Sequence, residues 1–99
     1  MNTAYLLIGG NLGDRAAYLQ EAVKHIEARC GSITNSSSIY ETAAWGNTNQ
    51  PTFYNQALQL ITTLTPASLL EQLLAIELEM GRERSEKYGP RTIDLDILM

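Results

Sequence analysis

Thr92-Ile93-Asp94-Leu95-Asp96-Ile97-Leu98 alternates aliphatic side chains with carboxylates. In a strand, successive side chains point to opposite faces, so Ile93, Leu95 and Ile97 share one side and Asp94 and Asp96 the other. Such a strand belongs in a sheet with one face packed on a core and the other face open. The aliphatic face pins the strand to that core.

Working outward, Tyr5-Leu6-Leu7-Ile8 reads as a buried strand running into the glycine-rich stretch Gly9-Gly10-Asn11-Leu12-Gly13. Asp14 can cap a helix in which Leu19, Val23 and Ile26 recur at helical spacing beside Ala22, and Gly31 supplies its stop. Ile33 to Thr42 is strand-like but diluted by Ser36-Ser37-Ser38, a polarity suited to a sheet edge. A loop from Ala43 to Pro51 opens on a third strand, Phe53 to Thr63. Thr65-Pro66 starts a second helix whose stripe is Leu69, Leu73, Ile76 and Met80, widened by Leu70 and Leu74 and closed by Gly81. The order strand, helix, strand, strand, helix, strand predicts an α+β fold: a ferredoxin-like βαββαβ layer, with a four-stranded antiparallel sheet and both helices on one face. Asp94 and Asp96 are then expected on the open side.

Those two aspartates have Cα atoms roughly 6.6 Å apart, at about 3.3 Å per residue. With an effective dielectric near 20, like charges about 6 Å apart repel by on the order of 2 to 3 kcal/mol. A divalent cation reverses the sign of that term, and carboxylate pairs suit Mg2+, with phosphate oxygens and water completing the octahedron. An isolated Asp-x-Asp is more often a solvated strand face; the surroundings of this one favour the metal bracket. Arg82, Arg84, Lys87 and Arg91 crowd four of the seven basic residues into the ten positions just upstream. Arginine forks bind phosphate oxygens bidentately and stabilise charge on a transferring phosphoryl group. Glu83 and Glu86 could neutralise part of this cluster by surface pairing, which is worth little. Gly89-Pro90 restrains the chain between the cations and the carboxylates.

Composition bounds the remaining possibilities. A chain of 99 residues has room for one domain, spanning 1–99. Its apolar content of 44% is ordinary, and Ala4 to Ile8 is its longest apolar run, far from the about 20 residues that span a bilayer. No basic segment followed by an apolar run opens the chain, so export is not expected. Cys30, the single cysteine, cannot form an internal disulfide and is expected to be a small packing residue in a reducing, cytoplasmic setting. The net charge of −4 argues against nucleic acid as a partner, leaving small anions bound locally.

With Arg82-x-Arg84 and Gly89-Pro90-Arg91-Thr92-Ile93-Asp94-Leu95-Asp96 in view, the chain resembles the 6-hydroxymethyl-7,8-dihydropterin pyrophosphokinases of folate biosynthesis. Supporting matches are Gly9-x-Asn11-Leu12-Gly13-Asp14, Tyr40-x-Thr42, Tyr54-Asn55, Ile76-Glu77 and Gly81-Arg82. The resemblance implies transfer of pyrophosphate from ATP to the hydroxymethyl oxygen of the pterin, with release of AMP. By the same resemblance Asp94 and Asp96 hold two Mg2+ ions, Arg82 and Arg91 stabilise phosphate charge, Arg84 and Glu77 seat the nucleotide, and Ile97 lies near the adenine. Thr42, Ala44, Trp45, Phe53 and Asn55 are implied to form the pterin pocket, with Asn11 nearby. These roles suit the chemistry: a flat heteroaromatic ring takes an aromatic face and a few amide or hydroxyl partners, and phosphoryl transfer takes positioning and charge.

The chain departs from the family pattern at Ala43-Ala44, where proline is frequent, and at Tyr88, where tryptophan is common. Family members also continue past the Asp-x-Asp strand, so the polypeptide ending at Met99 is expected to be weakly active or inactive by itself. Two other readings share the fold. An RNA-recognition module is disfavoured because Phe53-Tyr54-Asn55-Gln56-Ala57-Leu58 lacks the basic-Gly-aromatic opening of its signature. A ligand-sensing or purely structural domain would leave Asp94 and Asp96 as surface decoration. Oligomeric state is open on these grounds.

Overall fold

A computed structural model describes residues 1–43, 51–81 and 93–98. The elements are β1 (Asn2–Gly10), α1 (Arg15–Arg29), β2 (Ser32–Ser36), β3 (Tyr40–Thr42), β4 (Phe53–Thr62), α2 (Pro66–Glu79) and β5 (Asp94–Ile97). They form one antiparallel sheet in the order β2-β4-β1-β5, with β3 also paired to β4. α1 packs on β1 and β4, and α2 packs on β5 and α1. The α+β expectation holds, with five strands in place of four. β2 and β3 lie end to end along one edge of β4 and together fill the place of the single strand expected from Ile33 to Thr42.

Ser37 explains that break. Its N–H donates to the Ala57 carbonyl at 2.9 Å, while its Oγ accepts the Ala57 N–H at 2.9 Å. A side-chain oxygen thus takes the ladder place of a backbone carbonyl, which is how serine competes with regular pairing.

Helix starts follow the expected chemistry. Asp14 Oδ1 accepts the Ala17 N–H at 3.1 Å, and Thr65 Oγ1 accepts the Ser68 N–H at 3.2 Å with Pro66 in the first turn. The strands contribute Ala4, Leu6, Ile8, Leu58, Leu60 and Leu95 to a core completed by Leu19, Ala22 and Ile26 of α1 and Leu69, Leu73 and Ile76 of α2. Cys30 is buried in the same core, and burial raises its thiol pKa, which keeps the sulfur in its protonated, unreactive form. The expected widening of the α2 stripe is not observed: Leu70 and Leu74 are 46% and 38% exposed, whereas Glu77 is buried. β5 lies at the sheet edge and draws the Glu77 side of α2 inward, for a reason that lies in the site.

Candidate functional site

The register places the acidic strand face. Gly9 of β1 pairs with Asn55 of β4 on one side and Asp94 of β5 on the other, and Tyr40 of β3 pairs with Asn55. Leu7 likewise lies between Ala57 and Asp96. Since Ile8 and Leu95 are core residues, Asp94, Asp96, Gly9, Asn55 and Phe53 all belong to the opposite, helix-free face. Asp94 is half-buried and Asp96 exposed. At about 4.8 Å per strand spacing, Asn55 and Asp94 stand about 10 Å apart across Gly9.

Gly9 and Gly10 were expected to end the first strand, but both pair within β1. The requirement at Gly9 is one of space. A Cβ there would fall 2.7 Å from Asn55 Oδ1, so the carboxamide lies over bare backbone. Asn55 Nδ2 donates to Thr42 Oγ1 at 2.9 Å, which ties β4 to β3 and aligns the amide with a hydroxyl. Thr42, a register partner of Phe53, is exposed, and Phe53 is half-buried. An aromatic face, an amide and a hydroxyl are thereby grouped at one end of the open face, beside a glycine floor. A polar heteroaromatic ring fits such a group, because the amide and hydroxyl both donate and accept.

Glu77 occupies the outer side of β5. Leu98 N–H donates to the Tyr5 carbonyl, so by antiparallel alternation the pair Ile8 and Leu95 is not hydrogen-bonded and the Leu95 N–H points away from β1. Glu77 Oε2 accepts that N–H at 2.7 Å. A buried carboxyl group thus satisfies an edge donor between the two aspartates, which is why α2 turns Glu77 inward. Glu77→Ala is expected to destabilise the fold by about 1 to 3 kcal/mol in urea unfolding, since a buried donor loses its acceptor, and Glu77→Gln by about half as much or less. Ile97 also lies on the helix side, half-buried against the core near the same edge.

Asn11 is 1% exposed, and its Nδ2 donates to the Pro51 carbonyl at 3.1 Å, joining the end of β1 to the approach to β4. Arg82, Arg84, Arg91, Ala44 and Trp45 lie outside the described residues. The structure therefore assembles the Asp94–Asp96 pair and the Thr42–Phe53–Asn55 group on one face, and it sets Glu77 and Ile97 around the β5 edge. Gly9 was not singled out as a site residue. The signal available was its glycine identity two residues before the first loop.

Among the described residues no group of three or more His, Cys, Asp or Glu gathers as a metal site. Two carboxylates on one strand face are nonetheless a donor set that suits Mg2+, which takes one or two carboxylates and completes its shell with phosphate and water. Below the Asp96 row the open face carries a groove of about 620 Å³ lined by Tyr5, Ala57, Gln59 and Leu98. It borders the site through Ala57, and neither aspartate lines it. No helix among the described residues is long and apolar enough to cross a membrane.

Comparison with known proteins adds an independent line. The chain is 46% identical over 99 residues to a 2-amino-4-hydroxy-6-hydroxymethyldihydropteridine pyrophosphokinase of Methylorubrum extorquens, covering 99% of this chain and 63% of the relative. The Bacillus subtilis protein of the same name is also 46% identical, with 99% and 59% covered, and that of Aquifex aeolicus is 42% identical, with 100% and 61% covered. The chain thus spans about 60% of the length of these curated relatives. Residues 5–99 match the family described as 7,8-dihydro-6-hydroxymethylpterin-pyrophosphokinase, and on that match and these identities the chain belongs to that family.

Proposed function

We propose that this chain binds a 6-hydroxymethyl-dihydropterin and ATP on the open sheet face and serves pyrophosphoryl transfer between them. The hydroxymethyl oxygen attacks the β-phosphorus of ATP, the bond from that phosphorus to the oxygen shared with the α-phosphate breaks, and AMP leaves as the hydroxyl proton is lost. The observation that carries this reading is the row Asn55, Gly9, Asp94. It sets a ring-recognition group and a dicarboxylate about 10 Å apart, a span that a pterin with its hydroxymethyl arm and the nucleotide phosphates can share.

Asn55 and Thr42 orient the polar edge of the pterin, and Phe53 offers it an aromatic face. Asp94 and Asp96 would hold magnesium ions, two by resemblance to the family, and the metal would supply neutralisation of charge on the transferring phosphates. Arg82 and Arg91 are assigned to the phosphate oxygens and Arg84 to the nucleotide. Ala44 and Trp45 complete the pterin side, with Asn11 holding its approach. Glu77 and Ile97, which lie around the outer edge of β5, are assigned to the nucleotide side of the site by resemblance to the family.

Calorimetry on this chain tests the reading. A non-hydrolysable ATP analogue is expected to bind only with Mg2+, and 6-hydroxymethylpterin to bind more tightly once the nucleotide is in place. Failure of both ligands to bind would sink the assignment.

A further inference from the structure

Arg15 is the first residue of α1 and belongs to no part of the site described above. Its guanidinium nevertheless reaches across to both strand ends that carry the pterin-facing group. Arg15 Nη1 donates to the Thr52 carbonyl at 2.8 Å and to Thr52 Oγ1 at 2.9 Å, and its Cζ lies 3.9 Å from the centre of the Tyr54 ring. The same nitrogen is 3.8 Å from Glu41 Oε2, and the Thr52 hydroxyl donates to that carboxylate in turn.

The chain positions of these partners matter. Glu41 and Tyr54 are register partners, and so are their neighbours Thr42 and Phe53. Side chains alternate along a strand, so Glu41 and Tyr54 face the helix side while Thr42, Phe53 and Asn55 face the open side. Arg15 therefore grips the backs of β3 and β4 at the row that lies between the two rows carrying the ring-recognition group in front. An arginine suits this task better than a lysine, since one planar fork can stack on a ring while donating in its own plane.

We propose that Arg15 is a positioning residue that clamps the β3 and β4 ends from behind and so sets Thr42, Phe53 and Asn55 for the pterin, without itself touching substrate. The inference rests on the pterin reading of the open face. It predicts an effect confined to one ligand: loosening β3 against β4 disturbs the amide, hydroxyl and aromatic group, and leaves Asp94 and Asp96 on β5 unaltered.

The test uses Arg15→Met and Arg15→Lys in this chain. In Arg15→Met, affinity for 6-hydroxymethylpterin, read by fluorescence titration, is expected to fall about tenfold, on the scale of one or two lost charge-assisted hydrogen bonds. Affinity for the magnesium complex of the ATP analogue should stay within about twofold, and lysine, which keeps the charge but not the fork, should restore only part of the loss. Unchanged pterin affinity, or an equal loss for both ligands, overturns the clamp. Amide hydrogen exchange reads it without any ligand: Thr42, Phe53 and Asn55 should exchange about tenfold faster in Arg15→Met while Leu6 and Leu60 do not change. If the unsubstituted chain binds no pterin, the functional reading falls and exchange alone decides the clamp. Faster exchange at those three amides supports it, and unchanged exchange overturns it.

Discussion

Asp94→Asn and Asp96→Asn are each expected to lower magnesium-dependent affinity for an ATP analogue by about a hundredfold or more, equivalent to about 2.7 kcal/mol. An amide keeps the size of the carboxylate and removes the charge, so the substitution isolates electrostatics. In the unliganded protein the two carboxylates share one strand face, and solvent around the exposed Asp96 screens their repulsion to about 1 kcal/mol or less. Mg2+ bound as proposed would turn both charges to attraction, and replacing an anionic oxygen ligand by a neutral one weakens its hold on the ion. Fold stability should respond less than affinity does. Asp96 is exposed and Asp94 half-buried, and an amide of the same size keeps the packing of both, so any change in stability should stay well below the loss in nucleotide affinity. Calorimetry and urea unfolding on the same variants check the two halves together. Loss of nucleotide affinity at unchanged stability marks a ligand-binding pair. Unchanged affinity would remove the metal bracket and with it the mechanism.

What could be read in advance from the amino acids was whatever depends on near neighbours. Alternation in Ile93 to Ile97 placed the aspartates on the open face, and Asp14 and Thr65-Pro66 marked both helix starts, because a strand period and a cap are set within a few residues. Features set by partners distant in the chain were not legible. Glu77 looks like an ordinary solvated helix residue until β5 is laid beside α2 with an edge N–H facing it. By the same token Leu70 and Leu74, which extend the apolar stripe on paper, are left outside. The division of the second strand depended on one serine hydroxyl replacing a backbone acceptor, and nothing distinguishes Ser37 from Ser36 or Ser38 in a local reading. The role of Arg15 is hidden for a related reason: its hydrogen-bond partner Thr52 lies 37 residues away in the chain. The carboxylate pair was legible as a motif and Thr42, Phe53 and Asn55 through the family resemblance, while register is what shows that the two groups share the open face.

Gly31→Ala is expected to cost about 3 kcal/mol or more, a large share of the roughly 5 to 15 kcal/mol that holds a domain folded. Two independent penalties meet at this residue. Its φ is +149°, a region that residues with a Cβ rarely enter, and a Cβ built there falls 2.1 Å from the Ile61 carbonyl oxygen. That obstacle is backbone in a paired strand, so no rotamer change relieves it. The position is also hemmed in on the other side. Thr62 Oγ1 donates to the Cys30 carbonyl at 2.5 Å and accepts the Leu64 N–H at 3.0 Å, fastening the end of α1 to the turn after β4. Moving Gly31 outward to admit a methyl group would pull on both bonds and on the pairing of Ser32 with Ile61. Gly81 supplies the control, with φ of +85° and, among the described residues, nothing within 4 Å of an added Cβ. Gly81→Ala should cost only the backbone penalty, about 1 to 2 kcal/mol. Urea unfolding of the two variants side by side separates conformational strain from steric overlap. The overlap account fails if Gly31→Ala proves no more destabilising than Gly81→Ala.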